Sequence, residues 1–266
     1  MQPTVILRNL TIGYATKTGR KVVAEGLEAA VNSGELTCLL GRNGIGKSTL
    51  LRTLACFQQP LEGDILIATD NGGTLAPLHG LSEQQRSRQI GVVLTEKPTV
   101  RNMTAWEMVA MGRMPYTGFW GTLDEEDCRQ VDEAISLVGI GTLSRHAIDT
   151  LSDGERQKVM IAKALAQQTP VILLDEPTAF LDYGSKVEVL LLLRRLASEQ
   201  QKTILLSTHD VELALQLADR LWLMETGTLT MGTPRQLADN GALARFIERP
   251  GIAFEQHSLT IHVSKI

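Results

Sequence analysis

Cysteine is scarce in this 266-residue chain, and long apolar runs are missing from it. Cys38, Cys56 and Cys128 lie inside apolar helix or strand patterns and show no CxxC spacing. That excludes a disulfide framework and a cysteine zinc site, and it fits a reducing compartment. No stretch approaches 18 uninterrupted apolar residues; the most hydrophobic run, 190–193, stops at Arg194 and Arg195. The N-terminus has no signal-peptide layout. A cytoplasmic protein is therefore expected, with any membrane role reached through a partner. Excess positive charge is also lacking: the net charge is −4 at pH 7, so no nucleic-acid footprint is present. Internal repeats and low-complexity linkers are absent too. What remains is an ordinary globular balance, 43% hydrophobic and 21% charged, in a chain long enough to bury a full core.

One stretch organises the rest. Gly41, Arg42, Asn43, Gly44, Ile45, Gly46, Lys47, Ser48 and Thr49 read G-x-x-x-x-G-K-[ST]. By composition this pattern arises by chance in roughly one chain of this length in a hundred. Before it, 36–40 is a short apolar run that reads as a buried strand; after it, Leu50, Leu51, Leu54 and Ala55 are spaced as one helix face. Strand, glycine loop and helix are the context a phosphate-binding loop requires. The glycines let backbone N–H groups converge on phosphate oxygens. Lys47 adds a point charge for the β/γ-phosphates, and the Ser48 hydroxyl can ligate Mg²⁺. The helix directs its positive end at the same phosphates. A nucleoside triphosphate is the expected ligand.

Along the chain, strand patterns fill the first third, around Val5 to Leu10, 22–31 and 63–67. Tyr14 lies between the first two; by itself an aromatic there reads more readily as core than as ligand. A strand at 90–94 ends in Thr95 and Glu96, after which the pattern turns helical from about 97 to 169. Thr104 and Glu107 form a capping box, and Asp124 opens a helix that Gly139 stops. Between these helices, 114–121 carries three aromatics in a Pro/Gly loop that reads equally as a contact surface or a buried loop. Strands return at 171–174, 203–206 and 221–224 with helices between them, the alternation of a parallel sheet covered on both faces.

Further candidates cluster in that second half. Asp175 and Glu176 end a buried strand at the edge where open α/β sheets bind ligands. Asp175 is placed to hold Mg²⁺ with Ser48, and Glu176 to orient or deprotonate an attacking water. Ser152 and Glu155 make a capping box, so Ser152 stands at a helix N-terminus able to meet an anion. His209 alone would read as a surface histidine at a strand end.

Taken in order, these motifs resemble the nucleotide-binding subunits of ABC transporters. GRNGIGKST resembles their Walker A motif, LSDGERQ their signature loop and VILLDEP their Walker B; Phe180-Leu181-Asp182 is similar to the D-loop, and 207–210 to the switch histidine loop. The resemblance implies a P-loop NTPase (RecA-like) α/β core with an N-terminal antiparallel β subdomain and an α-helical subdomain inserted at about 97–169. The ATP-binding domain would span 1–240, with 241–266 as a C-terminal tail. It further implies an ATPase acting as a head-to-tail homodimer. Each ATP would lie between one subunit's Walker motifs and the other's Ser152 and Gly154, His209 would touch the γ-phosphate in cis, and Tyr14 would stack on adenine.

Two positions depart from the family pattern. Glu96 stands where Gln is usual as an Mg²⁺ or water ligand, adding a charge near two carboxylates; one such repulsion at 4 Å is about 4 kcal/mol at an effective dielectric of 20. Asp153 replaces a usual Gly, which suits the first turn of a helix. Residues 110–121 with the acidic 124–127 resemble the iron-siderophore, haem and cobalamin uptake branch. In that branch an integral membrane permease docks on the helical lobe, a separate substrate-binding protein delivers cargo, and the subunit sits at the cytoplasmic face of the inner membrane. This resemblance favours exposure of Tyr116, Phe119 and Trp120. The alternative is a soluble ABC ATPase acting on a cytoplasmic scaffold, such as one for iron–sulfur-cluster assembly. At the C-terminus, Leu259, Ile261 and Val263 alternate like a strand whose partner the sequence does not specify.

Overall fold

The computed structural model describes residues 3–16, 19–69, 74–95, 100, 102–118 and 120–264. It opens with two long strands, β1 (Pro3–Thr16) and β2 (Gly19–Asn32), that pair antiparallel. Then come β3 (Leu36–Gly41) and α1 (Lys47–Leu54), joined by the glycine loop. β4 (Glu62–Ala68) and β5 (Leu75–Pro77) follow, β4 pairing antiparallel with both β1 and β5. The result is a four-stranded antiparallel sheet in the order β2-β1-β4-β5.

After α2 (Glu83–Ser87) and β6 (Ile90–Val93), the described chain up to residue 170 forms helices and no named strand. α3 (Ala105–Ala110) starts from the Thr104–Glu107 capping box. α4 (Glu125–Val138) is capped by Asp124, carries Glu125, Glu126 and Asp127 in its first turn, and ends on a left-handed Gly139. Acids at the start and a left-handed residue at the stop satisfy the orphan amides and carbonyls of the two ends. α5 (Asp153–Ala166) begins at the Ser152–Glu155 capping box.

The alternating region continues as β7 (Val171–Leu174), α6 (Tyr183–Gln200), β8 (Thr203–Thr208), α7 (Val211–Leu217), β9 (Arg220–Glu225) and β10 (Thr228–Gly232). The second sheet runs β10-β9-β3-β8-β7-β6. All its pairings are parallel except the edge hairpin of β9 with β10. Successive side chains of its inner strands enter opposite cores. In β7, Ile172 and Leu174 pack with the helical region while Val171 and Leu173 pack with α1 and the antiparallel sheet; in β8, Ile204 and Leu206 part from Leu205 in the same way. That two-residue period explains why these strands read as unbroken apolar runs.

α8 (Pro234–Asp239), α9 (Ala242–Ile247) and the hairpin of β11 (Ile252–Glu255) with β12 (Thr260–Val263) complete the chain. The strand read at 259–263 thus pairs with its own neighbour, Phe254 facing Ile261, and the buried Leu237, Leu243, Ile247 and Phe254 join the helical-side core.

Candidate active site

Parallel pairing brings distant segments to one edge. Leu40 lies opposite Thr208, Leu174 opposite Leu206, and Val93 opposite Leu174. The chain therefore leaves β3, β6, β7 and β8 on the same side, carrying the glycine loop, Thr95, Asp175–Glu176 and His209 to neighbouring positions. This is where open α/β sheets take ligands.

The loop leaving β3 turns through left-handed residues. Gly46, the N-cap of α1, has φ 117°, and a Cβ there would stand 2.4 Å from Val23 Cγ1. Only glycine fits, so the amides that open α1 stay accessible. Lys47 is 5% exposed, and its ammonium donates to the carbonyls of Gly41 (3.0 Å) and Arg42 (3.4 Å). Burial pushes its pKa below the usual lysine range, while the nearby Glu176 and Asp175 carboxylates act in the opposite direction. Ser48 donates to Asp175 Oδ1 at 3.2 Å. Tyr14 is 42% exposed, so the core reading suggested by sequence alone does not hold; its hydroxyl shares a 2.8 Å hydrogen bond with Thr49 Oγ1.

At the end of β7, the Asp175 carbonyl accepts from Thr95 Oγ1 at 2.7 Å. Glu176 holds the left-handed region at φ 49°, a strained conformation for a residue other than glycine. Its carboxylate lies 2.5 Å from His209 Nε2. Between the two acids stands a residue that the sequence reading left without a role. Ser207, fully buried, donates to Asp175 Oδ1 at 2.7 Å and accepts from the Glu176 amide at 2.9 Å. The signal was its place on the strand beside β7, which the Leu174–Leu206 register turns into a contact.

The signature residues form a separate group. The Ser152 hydroxyl and amide both donate to Glu155 Oε2, at 2.7 and 2.9 Å, and hold its carboxyl below the ordinary glutamate range. Gly154 packs towards Ser185 in the first turn of α6, and Asp153 pairs with Arg156 at 3.1 Å. Arg42, Asn43 and Gly44 are exposed along the loop, and Ile45 packs against the core on the α1 side. Glu96 and Phe119 fall outside the described residues. In the 114–121 loop Trp120 is 87% exposed, but Tyr116 is half-buried under two arginines, contrary to the exposure expected of it.

Known proteins share this layout. The ABC transporter family profile matches residues 24–179. An uncharacterized ABC transporter ATP-binding protein of Methanocaldococcus jannaschii is 43% identical over 217 residues, 82% of this chain and 71% of its own. The ferric enterobactin transport ATP-binding protein of Escherichia coli is 34% identical over 241 residues, 90% of this chain and 84% of its own. Among solved structures, a chain of an inward-facing ABC transporter assigned to the metal-chelate type superposes with a TM-score of 0.78 at 26% identity, covering 99% of this chain and 97% of that one. A dimeric ATP-binding cassette in a post-hydrolysis state, bound to ADP and Pi, gives 0.72 at 27% identity, covering 86% and 98%. This chain is an ATP-binding, ATP-hydrolysing subunit of the ABC transporter family.

Proposed function

We propose that the chain powers an importer of iron-siderophore, haem or cobalamin-type substrates, working as a homodimer beneath a separate integral membrane permease. The observation that carries this reading is the division of the motifs. Lys47, Ser48, Asp175, Glu176 and His209 converge at one sheet edge, whereas Ser152 and Gly154 group with the start of α6. A second copy placed head to tail would lend its Ser152 and Gly154 to the γ-phosphate. The dimeric form of a similar cassette supports that arrangement.

Each group then has a task in ATP hydrolysis. The amides of Gly44 to Thr49 and the Lys47 ammonium gather the phosphates, and Tyr14, half-exposed beside α1, offers its ring to adenine. Ser48 Oγ and Asp175 Oδ1 are hard oxygens 3.2 Å apart, the donor type that Mg²⁺ prefers. With Glu96 they would hold that ion, which when bound neutralises charge on the β- and γ-phosphates. Glu176 orients the attacking water and takes its proton as the water oxygen bonds to the γ-phosphorus and the bond to ADP breaks. His209, already in contact with Glu176, reaches the γ-phosphate and relates nucleotide state to closure.

The branch rests on kinship and on one surface. The E. coli relative is named for ferric enterobactin transport, and a structural neighbour belongs to a metal-chelate type transporter. Met114 and Trp120 are exposed on the helical region, where a permease would dock. No described helix is long and apolar enough to cross a membrane, so the permease would supply the spanning part and hold this chain at the cytoplasmic face. A substrate-binding protein would feed the permease from the other side. The test is uptake of labelled ferric siderophore, haem and cobalamin by cells that depend on this chain. Wild type should restore uptake of one of the three classes, and Glu176→Gln should abolish it; equal uptake with Glu176→Gln would refute the reading.

A further inference from the structure

Helix α5 has two ends, and only the first is explained by ATP. Its N-terminus is Ser152. Its C-terminus is gripped by the loop that follows α3. Arg113, 3% exposed, donates from Nη1 to the Ala166 carbonyl at 2.8 Å and to Gln168 Oε1 at 3.0 Å, and from Nε to Asp127 Oδ1 at 2.8 Å. The last carbonyls of a helix lack partners within it and carry its negative end, so a buried guanidinium is well matched to them. The Tyr116 ring lies 4.0 Å from the Arg113 guanidinium, and its hydroxyl donates to the Gln167 carbonyl at 3.0 Å. Gly112 allows the close approach: a Cβ there would stand 2.3 Å from the Lys163 carbonyl.

We propose that Arg113 is the positioning residue that makes the 111–118 loop and α5 one rigid body, so that a load on the exposed Met114 moves Ser152. Fourteen residues of α5 span about 21 Å between the two ends. The loop cannot slide over the end of α5 without breaking the Arg113 and Tyr116 bonds together, so force passes along the helix axis. At its far end α5 is held by its capping box, by Arg156, which pairs with Asp153 and donates to the Ile148 and Leu151 carbonyls, and by the Lys158–Glu188 pair with α6. A shift there changes how Ser152 meets a nucleotide held by a second copy. The Asp127 carboxylate keeps the guanidinium paired, and α4 thereby anchors the same joint.

This inference rests on the permease reading, and its test separates the two. The Arg113→Met, Asp127→Asn double variant leaves no unpaired buried charge; Tyr116→Phe removes only one hydroxyl. Each is compared with wild type for ATP turnover of the isolated subunit and for turnover and transport of the complex reconstituted in proteoliposomes. The double variant should keep isolated turnover within about twofold and lose at least tenfold in the stimulation given by the complex. Tyr116→Phe should show a smaller loss of the same kind. Full stimulation of both variants would overturn the role of Arg113, as would isolated and stimulated rates falling in proportion. If wild type itself gained nothing from any membrane partner, the permease reading would fail first and the inference with it.

Discussion

Ser207 shows what a single residue does at this site. Its hydroxyl holds the Asp175 carboxylate and the Glu176 amide at once, so it fixes an oxygen proposed to bind Mg²⁺ and a strained backbone together. Supports of this kind typically cost 10–100-fold in activity when lost. Ser207→Ala should therefore lower kcat roughly tenfold while the KM for ATP changes less than threefold; an unchanged kcat would show that Asp175 and Glu176 hold their places without it. The residues that announced themselves in the sequence were those with rare chemistry at fixed spacing, such as Lys47 after paired glycines or two acids ending an apolar run. Ser207 carries no such mark. Its task arises from a register between β7 and β8 that lie about 30 residues apart, and a hydroxyl in a buried strand is otherwise unremarked. Taken alone, Tyr14 reads as core for a related reason, since composition cannot reveal that its strand runs past the first turn of α1; the family resemblance is what points it to adenine.

Among the elements, the helices at 105–166 were legible from their ends: the capping boxes at Thr104 and Ser152, the helix start at Asp124 and the stop at Gly139 all recur in the structure. The joint between them was not. In sequence Arg113 shows no task of its own, and its burial against Asp127 follows only from α3, α4 and α5 meeting at one point. Removing one partner of such a buried pair costs about 3–5 kcal/mol. Burial by itself would raise the Asp127 pKa, but the Arg113 guanidinium and the Asp124 amide outweigh it and hold the carboxyl below the ordinary aspartate range. A depressed folded pKa means the stabilisation is complete above the unfolded value, about 3.9, and is lost as pH falls through the folded value. Thermal melts of wild type and Asp127→Asn should differ in Tm by a constant amount from pH 7 to about 5. The gap should narrow below about pH 4; a gap that stays constant to pH 3 would mean the pair does not carry it.

At the scale of the molecule, the sheet order puts Lys47, Ser48, Asp175, Glu176 and His209 on one edge and leaves Ser152 and Gly154 in another group. The sequence alone conveyed the ordered motifs, and with them the α/β class, because each is a local pattern. It conveyed less of the C-terminal part, where a hairpin pairs with itself and its buried residues are too few to show a period. It is silent on cargo for a physical reason: in the proposed importer the cargo passes through the permease and never touches this chain. In the proposed importer the ATPase works on a membrane protein. The most direct test is capture of the tagged chain from detergent-solubilised membranes, followed by mass spectrometry of what accompanies it. A polytopic permease should copurify in stoichiometric amount; recovery of soluble scaffold proteins alone would leave the ATPase chemistry standing and contradict the importer.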